Sequence, residues 1–130
     1  MKTLLPTGWP RPRGYSNGIA VSGRLVFTGG VVGWDGAERF TSDSLAGQFE
    51  QVLRNIVAIL AEGGAAPQHI VRMTCYVTSV EDYLASLKEI GAAWKAVVGP
   101  HYPCMALVEV ARLVEPAAKV EIEATAVVPG

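Results

Sequence analysis

The chain has 130 residues, half of them hydrophobic and 18% of them charged, which is enough for one domain with a packed core and too little for two. Its formal net charge is −1 and its 11 lysines and arginines are scattered, so no broad attraction to nucleic acid or acidic membranes is expected. No stretch approaches about 18 uninterrupted apolar residues, and no transmembrane helix is therefore predicted.

The N-terminus and the cysteines indicate in which cellular compartment the protein resides. The first ten residues contain Pro6 and Pro10 and lack the apolar segment of a signal peptide. Cys75 and Cys104 both fall in predicted strands, and we interpret them as reduced, buried thiols rather than as a disulfide framework. Cys104 falls on the strand face opposite Met105 and Leu107, and we interpret it as a core residue. Together these features predict a cytoplasmic protein.

The N-terminal part of the chain is predicted to form an arm followed by short strands. Residues 1–13 contain three prolines and are expected to be an extended arm on the surface. Ile19–Val21 and Leu25–Thr28 are rich in β-forming residues, and Ser22-Gly23-Arg24 between them predicts a hairpin. Gly29-Gly30 follows directly, which predicts a β-bulge or a close approach by a ligand or another backbone.

Two helices are predicted from apolar residues that recur at helical spacing. Ser42-Asp43-Ser44 offers N-cap residues for the first helix, whose apolar stripe runs from Leu45 to Leu60. Ser79 opens the second helix as part of a Ser-x-x-Asp capping box, and its apolar side extends over Tyr83–Val98. Glycines follow both helices and are expected to end them.

Three longer strands complete the pattern. Ile70–Val77 lies between the two helices, and Cys104–Leu113 is apolar on both faces apart from Glu109. Lys119–Val128 alternates with period two, which is typical of a strand with one buried face. Pro116 between the last two strands predicts that a short turn joins them.

The element order β-β-α-β-α-β-β predicts an α+β sandwich in one domain over residues 14–130, with a mixed sheet that carries two helices on one face. No further element is left to cover the other face, although Cys104–Leu113 is apolar on both sides. A domain of this size can bury such a face against other copies of itself, so we expect an oligomer.

Six short motifs occur in order between residues 14 and 128, and they are Gly14-Tyr15-Ser16, Leu25–Gly30, Gln51–Ile56, Val71–Tyr76, Val108–Leu113 and Lys119–Ala124. Together they resemble the Rid family, the reactive intermediate deaminases also called YjgF-like proteins. The resemblance implies a chorismate-mutase-like fold and a homotrimer. It also implies a small-molecule site in each subunit interface and no cofactor.

One motif departs from the family pattern. Active Rid deaminases carry Pro-Ala-Arg-Ser/Thr directly before Val-Glu-Val, whereas this chain has Pro103-Cys104-Met105-Ala106. The family arginine grips the carboxylate of an α-imino acid, a bidentate contact that a thioether cannot make. Gly29 stands in place of the family serine, and Val31 in place of the usual glutamine. The predicted pocket, with Leu107 and Trp34 nearby, therefore suits a larger or less charged ligand than a small 2-imino acid.

The resemblance also assigns candidate site residues. Glu121 matches the family glutamate that positions the water attacking the imine, and a carboxylate suits this proton transfer; from the alternation alone it is also interpretable as a solvent-facing polar residue. Tyr15 matches the site tyrosine, or else it packs over the predicted hairpin. His101 near the presumed rim is either a surface or interface residue or a group for acid–base work. The prediction is Glu121 as catalytic residue, with Tyr15, Gly29, Gly30, Val31, His101, Met105 and Leu107 binding substrate.

Two functions from different classes follow. The first is a divergent enamine or imine deaminase, which the Glu121 match favours. The second is a non-catalytic trimeric ligand-binding protein of the same fold, which Met105 favours. Two histidines 32 positions apart, with no Cys-x-x-Cys motif, predict no metal site. Basic and aromatic residues do not interleave, so no nucleic-acid platform is predicted.

Overall fold

The computed structural model describes all 130 residues of the chain. Its strands are β1 (Lys2–Leu4), β2 (Gly18–Ala20), β3 (Arg24–Phe27), β4 (Val31–Val32), β5 (Ile70–Val77), β6 (Cys104–Glu109) and β7 (Val120–Val128), and its helices are α1 (Leu45–Glu62), α2 (Val80–Ala85) and α3 (Leu87–Val97). The predicted α+β class with a mixed sheet is confirmed. None of the helices combines the length and apolarity needed to cross a bilayer.

The main sheet has the strand order β3-β7-β5-β6, and β4 continues the β3 edge along β7. β5 and β6 run parallel, so their connection needs a crossover, which α2 and α3 provide. The last two predicted strands are present, but they are not neighbours because β5 lies between them. The expected short turn at Pro116 is instead part of a long connection from Val110 to Lys119.

The N-terminal strands also pair differently from the prediction. β2 pairs antiparallel with β1 and β3 pairs with β7, so the predicted hairpin between Ile19–Val21 and Leu25–Thr28 is wrong. Pairing with β7 places β3 inside the main sheet, where Val26 packs against the core. Gly23, in the turn between β2 and β3, has φ +153°, and any Cβ at this position would overlap the carbonyl oxygen of Val128.

Helices α1 and α3 cover one face of the main sheet. Ser44 caps α1, since its Oγ accepts the Gly47 N–H at 3.0 Å. The apolar stripe of α1 is buried as predicted, at Leu45, Phe49, Val52, Leu53, Ile56 and Leu60. Every second residue of β7 faces these side chains and is also buried, namely Val120, Ile122, Ala124 and Ala126. The period-two prediction is confirmed from Val120 to Ala126, whereas Val127, predicted on the other face, is also buried.

The second predicted helix is broken into α2 and α3 at Ser86. The Ser86 Oγ donates to the carbonyl oxygen of Asp82 at 2.8 Å, and its backbone (φ −108°, ψ 10°) leaves the helical region. A serine side chain that bonds to a nearby carbonyl competes with the helix, which accounts for the break. The helix periodicity continues on both sides, so periodicity alone does not reveal it.

The other face of the sheet is not covered by any helix. Polar residues of β5 and β7 lie on it beside apolar ones from the edge strands. Three large apolar side chains are exposed here, Leu25 by 57%, Phe27 by 63% and Val108 by 45%. We refer to this surface as the open face. Its apolar area is what the sequence analysis expected a second copy of the chain to cover.

Candidate functional site

One group of predicted site residues lines a cavity at the β6 edge of the sheet. Met105 and Leu107 point to the helix side of β6, beside Met73 and Cys75 of β5. Together with Tyr15 they line a cavity of about 460 Å³. We call it the aromatic cavity, because four further aromatic side chains line it, Phe49, Tyr83, Trp94 and Tyr102.

Tyr15 is held in the aromatic cavity by the segment that follows it. The Ser16 N–H donates to the Pro103 carbonyl at 3.0 Å, and Ser16 forms a parallel bridge with Cys104. The Ser16 Oγ also donates to the carbonyl oxygen of Tyr102. Ser16 therefore extends the sheet by one residue beyond β6 and places the Tyr15 ring over the cavity.

The walls of the cavity are formed by two aromatic pairs. Trp94 and Tyr102 stack with ring centroids 6.3 Å apart and an interplanar angle of 8°. Phe49 and Tyr83 are tilted by 44° at 6.4 Å. Burial raises the pKa of the Tyr83 phenol, so this hydroxyl stays neutral near physiological pH. Sequence analysis placed Tyr83 and Trp94 only in the helix core, because their helical spacing is the same for either role.

His101 lies near this cavity but is not among the residues that line it. Its Nε2 bonds to the carbonyl oxygen of Ile70 at 2.6 Å, and its own carbonyl accepts the Trp94 Nε1–H at 3.0 Å. These contacts join the start of β5 to α3. The predicted role of His101 in substrate binding remains a prediction.

A second group of predicted site residues lies at a bulge between β3 and β4. Phe27 pairs with Thr125 and Val31 pairs with Ile122. The chain thus advances four positions between these two pairs, while β7 advances only three. The extra residue makes the β-bulge that was predicted at Gly29-Gly30. We call this segment the glycine bulge.

The glycine bulge lies directly against Glu121. A Cβ on Gly30 would lie 2.9 Å from the Glu121 Cδ and closer still to its Oε2, whereas a Cβ on Gly29 would meet nothing within 4 Å. The Glu121 carboxylate thus occupies the space that a Cβ at position 30 would take, and a larger residue there would displace the carboxylate. Val31 turns its side chain toward the core instead. The Glu121 carboxylate therefore lies in the space left by the absent side chain of Gly30.

Glu121 differs from the other carboxylates of β6 and β7. The Tyr76 hydroxyl donates to Glu123 Oε1 at 2.9 Å, which raises the pKa of Tyr76. Glu109 Oε1 accepts the Val80 N–H at 2.9 Å at the start of α2. Glu121 has no hydrogen-bond partner within the chain, and its carboxylate is free to bind a water or a ligand.

The two groups do not meet within one chain. Met105 faces the helices, and Glu121 faces away from them because its neighbours Val120 and Ile122 are the buried ones. Their strands are also separated by β5, which adds about 10 Å across the sheet. A small ligand in contact with both groups needs them from two different copies of the chain.

The two cysteines occupy opposite faces of the sheet. Both are free thiols, and burial raises the pKa of Cys75 to about 12. Cys104 was interpreted as a core residue, and this is wrong: it pairs with Arg72 on the open face and is partly exposed. Alternation separated Cys104 correctly from Met105 and Leu107, but with both faces apolar it did not show which face the helices cover.

Outside these two groups of residues, the chain has a second groove and no cluster of metal-binding side chains. No three His, Cys, Asp or Glu side chains are grouped so that they could hold a metal ion. A larger groove of about 840 Å³ lies along residues 111–119. It contains none of the predicted site residues, and its charged groups, Asp43, Arg112, Glu115 and Lys119, form no ion pair with one another.

Comparison with known proteins gives a consistent family. The family model described as endoribonuclease L-PSP matches residues 10–128. A 2-iminobutanoate/2-iminopropanoate deaminase of Salmonella typhimurium is 31% identical over 130 residues, which cover 97% of each chain. A RutC family protein of Haemophilus influenzae is 33% identical over 105 residues, or 81% of this chain and 80% of that protein.

Solved structures show the same fold. The Rid family protein YyfB of Yersinia pestis, a protein of unknown function, superposes with a TM-score of 0.83 at 30% identity over 98% of each chain. A YjgF family member from Neisseria meningitidis superposes with a TM-score of 0.66 at 31% identity, over 92% of this chain and 91% of that one.

Proposed function

The chain belongs to the endoribonuclease L-PSP family, which includes the Rid (YjgF) proteins, and from this premise we propose that it hydrolyses the C=N bond of an enamine or imine with a large apolar substituent. The observation that carries the proposal is the unpartnered Glu121 carboxylate beside Gly30. The deaminases among its relatives share about 30% identity with it, which supports the reaction class and leaves the substrate to be argued from the site.

In the proposed reaction, Glu121 acts as a general base on water. The water oxygen adds to the imine carbon while its proton passes through the carboxylate to the nitrogen, which gives a carbinolamine. Collapse of the carbinolamine forms the C=O bond, breaks the C–N bond and releases ammonia. The net change is one imine and one water converted to one carbonyl compound and one ammonia, with no redox step and no cofactor.

We propose further that the working form is a homotrimer with each site shared between neighbouring copies. The aromatic cavity of one copy would hold the substrate, and the glycine bulge and Glu121 of the next would supply the water. Two features support this arrangement. The two groups of site residues are separated within one chain, and the exposed Leu25 and Phe27 on the open face favour association.

Met105 makes a specific prediction about substrate range. The wild-type protein is expected to release ammonia from imines with bulky apolar side chains and to be roughly tenfold poorer on 2-iminopropanoate, because Met105 gives the carboxylate of this substrate no partner on β6 and the substrate's methyl group leaves the cavity of about 460 Å³ unfilled. Met105→Arg is expected to raise 2-iminopropanoate turnover. The measurement is ammonia release from freshly generated imines. Leu84→Arg is the control, because it adds an arginine at an exposed apolar position. Met73→Arg is not a suitable control, because Met73 is buried. Preference of the wild-type protein for 2-iminopropanoate would contradict the prediction.

The adjacent glycines offer a matched pair of variants for the same reaction. Gly30→Ala is expected to displace the Glu121 carboxylate and lower kcat by roughly tenfold or more, since small displacements of catalytic groups are costly. Gly29→Ala places its methyl group in open space and is expected to leave kcat within about twofold. Steady-state kinetics with thermal melts for both variants provide the test. Equal activity in the two variants would show that the contact between Gly30 and Glu121 is irrelevant to catalysis.

A second candidate function is ligand binding without turnover. Met105 favours it, because the group that grips the substrate carboxylate in active relatives is missing from β6. Under this alternative the aromatic cavity binds its ligand and no imine releases ammonia, even with Glu121 intact. Turnover of 2-iminopropanoate that appears only in Met105→Arg would support this alternative over the deaminase.

A further inference from the structure

The aromatic cavity has one charged side chain in its lining, and that side chain is Arg13. Arg13 belongs to the predicted N-terminal arm and was not predicted as a site residue. The chain contains a single salt bridge, between Arg54 and Glu50, and no hydrogen bond from the Arg13 guanidinium is present. Arg13 is therefore a free cation at the mouth of an apolar cavity.

The backbone holds Arg13 at the same cavity as Met105, the residue that stands where active relatives carry an arginine. Ser16, three residues after Arg13, is fixed to the β6 edge by its N–H bond to Pro103 and by its bridge to Cys104. Gly14 turns the chain between them with φ +78°, a conformation that favours glycine. This anchoring keeps Arg13 at the cavity that Met105 also lines, so a cation is present there although β6 carries methionine.

Building on the proposed deaminase function, we propose that Arg13 binds the substrate carboxylate and that the substrate is a 2-imino acid with an aromatic side chain. The guanidinium would take the carboxylate at the mouth, as a planar donor pair does in bidentate contacts. The aromatic ring would enter the cavity between the Trp94–Tyr102 stack and the Phe49–Tyr83 pair. The protein would thus remain specific for a carboxylate, with Arg13 of the N-terminal arm in the role that an arginine on β6 has in active relatives.

The shape of the cavity supports an aromatic ligand in particular. Its volume of about 460 Å³ lies within the range of about 300–1,000 Å³ typical of sites that bury drug-sized ligands. A ligand as small as 2-iminopropanoate would leave most of this apolar volume empty or wet. Flat rings gain from offset or edge-to-face contacts with neighbouring aromatic side chains, and here such side chains border the cavity on two sides.

Binding of stable probes tests the proposal without relying on turnover. 3-Phenylpropanoate carries ring and carboxylate, 3-phenylpropanamide carries the ring without the charge, and propanoate carries the charge without the ring. Calorimetry on the full chain is expected to show that the wild-type protein binds the acid about tenfold more tightly than the amide, with propanoate weakest. Arg13→Gln is expected to remove the preference for the acid and to leave amide binding unchanged. Arg11→Gln, two positions earlier on the same exposed arm, is the matched control and should keep the preference.

Kinetics separate this inference from the proposed function. With the imine of phenylpyruvate as substrate, Arg13→Gln should raise KM about tenfold at nearly constant kcat, as expected for lost binding that is equal in ground and transition states. An Arg13-dependent preference for the acid without any turnover would support the binding role of Arg13 and contradict the deaminase. Turnover of bulky imines with equal KM in wild type and Arg13→Gln would support the deaminase and overturn the role of Arg13. Equal affinity of the wild-type protein for acid and amide would also overturn it.

Discussion

Glu121→Gln is expected to lower kcat for imine hydrolysis by about 100- to 10,000-fold, the range that a positioned general base contributes. The amide keeps the shape of the side chain and cannot accept the proton from water. Binding of 3-phenylpropanoate to the aromatic cavity should be nearly unchanged, since in the proposed shared site Glu121 of the neighbouring copy contacts the attacking water and not the ring or the carboxylate of the ligand. Steady-state ammonia release and calorimetry on the same preparation provide both measurements.

Glu123→Gln is the matched control for this variant. Glu123 lies two residues later on the same strand and face, and its Oε1 accepts the Tyr76 hydroxyl at 2.9 Å, a bond that the glutamine oxygen can keep. Its kcat is expected to stay within about twofold of wild type, because most exposed substitutions have small effects. A Glu121→Gln enzyme as active as the Glu123→Gln enzyme would remove Glu121 from the mechanism.

Mixed oligomers test whether each site draws on two copies. Leu107→Trp, which fills the aromatic cavity, and Glu121→Gln should each be inactive alone. If a site joins the cavity of one copy to Glu121 of the next, co-refolding equal amounts should restore about one quarter of the sites, since each half is intact with even odds in a symmetric ring. Activity no higher than that of the separate variants would place both groups in one copy, against the distance between them in the fold.

The second large effect expected is on stability, at Gln48. This side chain is only 1% exposed. Its Nε2 donates to the carbonyl oxygens of Ser42 at 3.1 Å and Ala117 at 2.9 Å, and its Oε1 accepts the Lys119 N–H at 2.8 Å. Gln48 thus ties α1 to the end of the connection that leads into β7. A buried amide with all three bonds made stabilises the fold, and the same groups are costly when left unpaired.

Gln48→Met keeps the length of the side chain and removes all three hydrogen bonds. The free energy of unfolding is expected to fall by about 3 kcal/mol, because three part-buried hydrogen bonds are lost at about 1 kcal/mol each. For a domain of this size the melting temperature should fall by roughly 10 °C. Chemical denaturation and thermal melts measure both quantities.

Gln51→Met on the same helix is the control for Gln48→Met. The Gln51 amide makes one bond, to the side chain of Asn55 at 2.8 Å, and it lies in a partly exposed position. Its expected cost is about 1 kcal/mol or less. Equal destabilisation by the two substitutions would show that the contact between α1 and the connection before β7 adds nothing to stability.

Local patterns in the sequence predicted the elements of this protein well. The stripe from Leu45 to Leu60 and the alternation in Lys119–Val128 became α1 and β7, because helical and strand periods depend on neighbours in the chain. Gly29-Gly30 became a bulge, because two glycines within a strand favour one. The change to Met105 was also visible in the sequence, since it needs only the identity of one residue within a motif.

The partners of the strands were decided only in the tertiary structure. The sequence predicted β6 and β7 as neighbours and β2 and β3 as a hairpin. In the structure β5 lies between β6 and β7, β2 pairs with β1, and β3 pairs with β7. Strand pairing depends on contacts between residues far apart in the chain, and a local turn signal such as Pro116 carries no information about them.

The candidate site shows the same division. The sequence by itself determined which side chains are present: Glu121 with Gly30, Tyr15 with Met105, and an arginine missing from β6. Alternation along one strand says which residues share a face, and it does not say which face the helices cover or how two strands are aligned. The tertiary structure therefore decided that Met105 and Glu121 lie on opposite faces, and that Arg13 from the arm lines the cavity where the strand offers no cation.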